Sequence, residues 1–142
     1  MFTQDSAFFQ ELLSVFKNES RDHIAAIHRD LPALQKNLSE EQRREMGENL
    51  FRAAHSIKGA ARTVGLTDIE TLGQAIEHAF ARIKALKEPL DSKSAAVLLK
   101  AAEVLGQTID TMDDQGQVTV KKSLITGWMD RLDDCVASGN NA

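Results

Sequence analysis

Apolar positions recur along this chain at three- and four-residue intervals, the spacing of a single buried face on a helix with 3.6 residues per turn. Phe9, Leu13, Phe16, Ile27, Leu31, Leu34 and Leu38 carry the pattern through a first helix predicted from about Asp5 to Asn37, with Thr3, Asp5 or Ser6 as N-cap. Pro32 removes a hydrogen bond from the turn before it, so a kink is expected there in preference to a separate final segment. Ser39-Glu-Glu-Gln42 has the form of a capping box and starts a second helix near Glu40, which Gly65 stops. Thr67-Asp-Ile-Glu70 repeats the box at once, so the connection is very short and the two helices must run antiparallel.

The third helix places Ile69, Leu72, Gly73, Ile76, Phe80 and Ile83 on its buried side and ends before Pro89. A fourth, opened by Asp91 or Ser92, repeats the spacing at Leu98, Ala102, Leu105, Ile109 and Met112, up to the Asp-Asp-Gln-Gly turn ending at Gly116. A fifth, from about Thr119 to Val136, turns Ile125, Trp128, Leu132 and Cys135 or Val136 inward, ahead of a frayed Ser-Gly-Asn-Asn-Ala end. Strand-like alternation is missing, since Gln117 to Val120 is too short to count. The expected fold is all-α: an antiparallel, four-helix-type bundle of about five helices. It forms one domain over 1–142 with its folded core at about 5–137.

Composition agrees with one helical core and narrows the partners. The 142 residues are 42% hydrophobic, enough for a core without disulfides or metals, and they include only 2 prolines. A net charge of −4 argues against general affinity for nucleic acid or anionic lipid, both of which select a basic surface, so the expected partners are proteins. No apolar run reaches membrane-spanning length, and no basic-then-apolar leader opens the chain. The lone cysteine, Cys135, cannot close an intrachain disulfide, which fits a reducing cytoplasm.

The candidate chemistry lies on the second helix. At roughly 100° per residue, Leu50, Ala54, Ile57 and Ala61 share one stripe, while Glu48, Arg52, His55, Gly59 and Arg62 fall nearly opposite. His55 is thus expected to point at solvent. Surface histidines are ordinarily just solvated, and His23, His28 and His78 are read that way. His55 differs in its neighbours. Lys58 follows one turn on, where its ammonium could neutralise phosphoryl oxygens, and Gly59 removes the side chain that would stand beside the imidazole. A helix-interior glycine costs about 1 kcal/mol relative to alanine, so Gly59 serves either access to the ring or close helix packing, with access favoured.

His55-Ser-Ile-Lys58-Gly59, preceded by Phe51-Arg-Ala-Ala and followed by Ala-Ala-Arg-Thr-Val-Gly65-Leu66, resembles the signature of histidine phosphotransfer (HPt) domains. It is most similar to the N-terminal phosphoacceptor domain of chemotaxis-type histidine kinases, and the resemblance covers most of the chain. It implies that His55 accepts a phosphoryl group from ATP through a separate kinase catalytic domain and passes it to an aspartate of a response-regulator receiver domain. It places Lys58 near the phosphoryl group and has Gly59 keep the site open. It also implies a glutamate beside the histidine on the next helix, which falls at Glu77. Such a carboxylate, accepting a hydrogen bond from Nδ1–H, would fix the tautomer and leave Nε2 as nucleophile; the alternative is a solvated helix carboxylate. Several such domains carry a second histidine three residues before this glutamate, where this chain has Gln74.

Phe51, Arg52, Arg62 and Gln74 complete the candidate binding residues: Phe51 as an apolar docking anchor, Arg62 as a contact for phosphate, for an acidic receiver surface or for solvent alone. The sequence has no Gly-rich phosphate loop and no carboxylate cluster for a metal, so ATP and Mg²⁺ are expected in partner domains and the chain is not expected to be an enzyme alone. A metal-binding bundle is the alternative, weakened because no histidine follows a glutamate by three residues; a purely structural bundle is a third reading. Attack requires a neutral imidazole, so acceptance is expected to decline in acid. Whether the residues are a free-standing shuttle or the leading domain of a longer kinase stays open in the sequence, with a fragment expected because no catalytic domain precedes the end at Asn141-Ala142.

Overall fold

The computed structural model describes residues 3–141, with side chains from 6 to 134. Among the described residues the chain forms five α-helices: α1 (Thr3–Asp30), α2 (Glu40–Val64), α3 (Thr67–Ile83), α4 (Ser92–Asp110) and α5 (Lys122–Asn141). α1 packs on α2 and α4, α2 on α3, and α3 on α4, while α5 lies against α3 and α4. The apolar stripes meet in one core. Ile27, Leu31, Leu34, Leu50, Ile57, Ile69, Leu72, Ile76, Phe80, Ile83, Leu98 and Leu105 are its largest fully buried side chains. Each such side chain contributes roughly 1.5–3 kcal/mol by leaving water, so the repeated spacing is enough to hold the bundle together. Phe9 and Leu38, read from the same spacing, are only partly buried at its margin.

Pro32 does not kink a continuous helix. α1 stops at Asp30 and the chain tightens into a 3-10 segment, Leu31–Gln35, with the proline in its first turn. The shorter ring of 3-10 hydrogen bonds starts afresh at the proline, where a missing N–H costs nothing, so the separate segment replaces the expected bend. Leu31 and Leu34 are buried in this arrangement, and the Leu34 carbonyl accepts from Leu90 N–H at 2.8 Å, tying the segment to the approach to α4.

The capping box at Ser39 is present: Gln42 N–H donates to Ser39 Oγ at 3.1 Å, and Ser39 N–H donates to Gln42 Oε1 at 3.0 Å. The second expected box is not. Gly65 ends α2 in the left-handed conformation at φ 82°, where Leu66 N–H donates to Ala61 O at 2.8 Å and Gly65 N–H to Arg62 O at 3.2 Å. That closure turns the chain so sharply that Leu66 is already the N-cap of α3, and no side chain caps it. Leu66 is itself buried, so an apolar anchor replaces the Thr67 hydroxyl. The antiparallel pairing stands nonetheless, with Gly47 beside Lys84 at one end of the seam and Lys58 beside Gly73 towards the other.

Asp91, not Ser92, caps α4, accepting from Ser94 N–H at 3.1 Å. α3 ends at Ile83, short of Pro89. α5 begins at Lys122 and continues to Asn141, past the expected end and through most of the segment read as frayed. Ile125, Trp128 and Leu132 face inward as expected; the side chains of Cys135 and Val136 lie outside the described residues, as do those of Thr3 and Asp5, while Ser6 lies within α1. Among the described residues no helix is long and apolar enough to cross a membrane.

Candidate functional site

The α2–α3 seam carries the site. Leu50, Ala54, Ile57 and Ala61 are buried against the core, which turns His55 outward with 61% of its side chain exposed. From α3, Ile76 and Phe80 enter the core and Glu77, between them, reaches the seam with only 7% of its side chain exposed. Its two carboxylate oxygens take different partners on α2. Oε2 meets His55 Nδ1, and Oε1 accepts from Lys58 Nζ at 2.9 Å. The reading of Glu77 as a solvated carboxylate therefore fails.

Burial pushes the Glu77 carboxyl up, but hydrogen bonds from Lys58 and His55, with the Lys58 charge, outweigh it and hold the group below the ordinary glutamate range. Glu77 is thus ionised and can only accept, which assigns the His55 proton to Nδ1. In the neutral ring the lone pair is then on Nε2, which makes no hydrogen bond among the described residues. A methyl built on Gly59, the next turn of α2, meets nothing within 4 Å among the described residues, so the glycine is not there for helix packing and the surface over that turn is open.

The remaining candidates are spread around this centre. Arg52 is exposed and donates from Nε to Glu48 Oε1 at 3.2 Å; it also borders a shallow groove between α1 and α2 with His23, Arg29 and Ser56. Arg62 lies far along the helix, 3.8 Å from Glu70 Oε2 and 78% exposed, a surface pair of little weight. Gln74 is exposed and forms no hydrogen bond among the described residues, so the polar network ends at His55, Glu77 and Lys58. Phe51 is half-buried, stacked on His55 and covered by Lys84, contacts that its reading as a docking anchor did not foresee. Lys84 was missed altogether. It follows Glu77 by seven residues, two helical turns, so its place on the same seam was available from spacing.

Among the described residues, no three His, Cys, Asp or Glu side chains converge as a metal-ligand set. An outward histidine, fixed at one nitrogen and free at the other on a helical hairpin, defines a histidine-bearing phosphotransfer module. The chain belongs to the Hpt domain family, whose model matches residues 11–115. It is 28% identical over 106 residues to the chemotaxis protein CheA of Bacillus subtilis (strain 168), a match that covers 75% of this chain and 15% of that protein. In structure it resembles the phosphorylated P1 domain of CheA3 from R. sphaeroides, solved in complex with CheY6, with a TM-score of 0.74. That likeness covers 91% of this chain and 98% of the other, and at 22% identity it speaks for the fold.

Proposed function

We propose that this Hpt domain is a cytoplasmic phosphorelay module of a chemotaxis-type or hybrid sensor kinase. His55 Nε2 takes a phosphoryl group from ATP held by a histidine kinase catalytic domain and gives it to an aspartate of a response-regulator receiver domain. The observation that carries this reading is the exposed His55 ring with Nδ1 on Glu77 and Nε2 unoccupied. Likeness to a P1 domain that was solved phosphorylated and with CheY6 supports both the modification and the kind of partner.

In the first step the Nε2 lone pair forms the N–P bond while the bond from the γ-phosphorus to its bridging oxygen breaks, and ADP leaves with that electron pair. The ring keeps its Nδ1 proton and becomes cationic; the Glu77 carboxylate at Nδ1 offsets that charge as it develops. In the second step a receiver carboxylate oxygen forms the O–P bond, and the N–P electron pair returns to Nε2. Lys58, 22% exposed and on the same carboxylate, offers its ammonium to the phosphoryl oxygens in this reading. Gly59 leaves the approach clear, and Arg52 and Arg62 offer positive charge to an acidic receiver surface. ATP and Mg²⁺ belong to the kinase domain, so the domain is a substrate and carrier and has no catalysis of its own.

Incubation with a cognate kinase domain and labelled ATP tests this. The expected product is one acid-labile phosphoryl group per chain, absent in His55→Gln and removed by a receiver domain. Label that persists in His55→Gln would move the acceptor elsewhere.

A further inference from the structure

Glu77 holds the His55 imidazole by one edge. A single hydrogen bond at Nδ1 sets the tautomer but leaves the ring free to tilt, because the outer torsion of histidine is broad and only loosely stepped. Attack on phosphorus needs the Nε2 lone pair, which lies in the ring plane, to be aimed along the breaking bond. Something else must fix the plane. One turn back on α2, the Phe51 ring lies parallel to the imidazole, 11° from coplanar orientation with centroids 6.0 Å apart. Such an offset parallel pair is a preferred arrangement of aromatic rings.

Phe51 is in turn held from the C-cap of α3. Lys84 Nζ sits 4.1 Å from the Phe51 ring centroid and donates to Glu48 Oε2 at 3.0 Å. The approach of Lys84 depends on Gly47. A Cβ there would stand 3.1 Å from Lys84 Cγ and 3.3 Å from Lys84 Cα, and the second of these is backbone that cannot step aside cheaply. The seam thus has two rungs of opposite sense: Lys84, the C-cap of α3, on Glu48 and Phe51, then Glu77 of α3 on His55 and Lys58.

We propose that Phe51, steadied by Lys84, is a positioning residue that fixes the plane of the His55 imidazole and hence the direction of its Nε2 lone pair. The proposal rests on the phosphoacceptor reading of His55. Glu77 then decides which nitrogen attacks, and Phe51 decides where it points.

The test compares Phe51→Leu, which keeps apolar volume but loses the planar face, with Phe51→Tyr, which restores the ring, and Lys84→Met, which keeps the stem but loses the charge. With the cognate kinase domain and ATP, Phe51→Leu is expected to lower the kcat of acceptance about tenfold with KM for this domain unchanged, and Lys84→Met to lower it about threefold. Phe51→Tyr is expected to behave as wild type. In NMR spectra the carbon-bound ring protons of His55 should lose their aromatic ring-current shift in Phe51→Leu and keep it in Phe51→Tyr. Raised KM with intact kcat would make Phe51 a docking anchor and overturn the proposal, as would wild-type rates in Phe51→Leu. Should Phe51→Leu fail to fold, wild-type kcat in Lys84→Met would overturn it instead. A wild-type chain that takes no phosphoryl group overturns the phosphoacceptor reading itself, whereas a phosphorylated wild type with an unaffected Phe51→Leu overturns this proposal alone.

Discussion

Lys58 and Glu77, on facing helices, are joined at 2.9 Å through the carboxylate oxygen that His55 does not use. One buried anion thereby serves two cationic or proton-bearing groups of α2, and its charge is offset before any phosphoryl group arrives. The arrangement is asymmetric in exposure. Glu77 is buried, Lys58 is partly covered and His55 is open, so the imidazole meets solvent while its partner stays dry enough for the interaction to be strong.

Removing that carboxylate should therefore cost rate more than fold. In Glu77→Ala, acceptance from the kinase domain is expected to slow on the order of 10–100-fold, the scale on which partners that orient a histidine act. The helical circular dichroism should stay close to that of the wild type. Quench-flow or filter assays of labelled phosphoryl incorporation measure the rate, and an unchanged rate would remove Glu77 from the site.

The same carboxylate sets a pH dependence of stability. Its acidity is enhanced in the folded state relative to the ordinary value of 4.5, so below that value the unfolded chain takes up the proton first. The Glu77 contribution is complete above 4.5 and is lost as pH falls through the lower, folded value. Urea midpoints at pH 7 and pH 3 should differ more for the wild type than for Glu77→Gln, which cannot titrate. Equal differences would mean that the Lys58 and His55 contacts contribute nothing to folding.

Much of this was legible in the sequence, and the failures share a cause. Helical spacing found the core face of every helix, and the wheel alone turned His55 outward, because burial follows periodicity directly. Glu77 was different: it follows buried Ile76 by one residue, at the edge of the apolar face, and only a resemblance to HPt domains pointed it at His55. Whether a border carboxylate reaches across or into water depends on how closely two helices approach, and Gly47, Leu66 and Lys84 set that distance. The Thr67 box failed for the same kind of reason. Its local pattern was sound, but the Gly65 closure placed buried Leu66 at the cap position first.

Arg43 presents an energetic oddity away from the site. It is buried, its Nη2 donates to Leu38 O at 3.2 Å, and its Nε has no hydrogen-bond partner among the described residues. A buried donor left unpaired costs about 1–3 kcal/mol, so the alkyl stem is the stabilising part of this side chain. Arg43→Met, which keeps the stem, is expected to leave the urea midpoint unchanged or higher, while Arg43→Ala lowers it by opening a cavity. A loss above about 2 kcal/mol in Arg43→Met would show that the guanidinium is compensated after all.

Gly59 allows stability and function to be pulled apart. It lies within α2, is exposed, and has nothing within 4 Å of the position a Cβ would take. Alanine there removes the backbone entropy penalty of glycine without a clash, so Gly59→Ala is expected to stabilise the domain by about 0.5–1 kcal/mol. The added methyl stands one turn beyond His55, in space that the glycine leaves open, so on the phosphoacceptor reading acceptance should fall although the domain is more stable. Gly59→Leu should slow it further. Thermal melting and the incorporation assay on the same samples separate the two effects. A less stable Gly59→Ala would return the glycine to a packing role, and a normally phosphorylated variant would end the idea that open space is what the glycine provides.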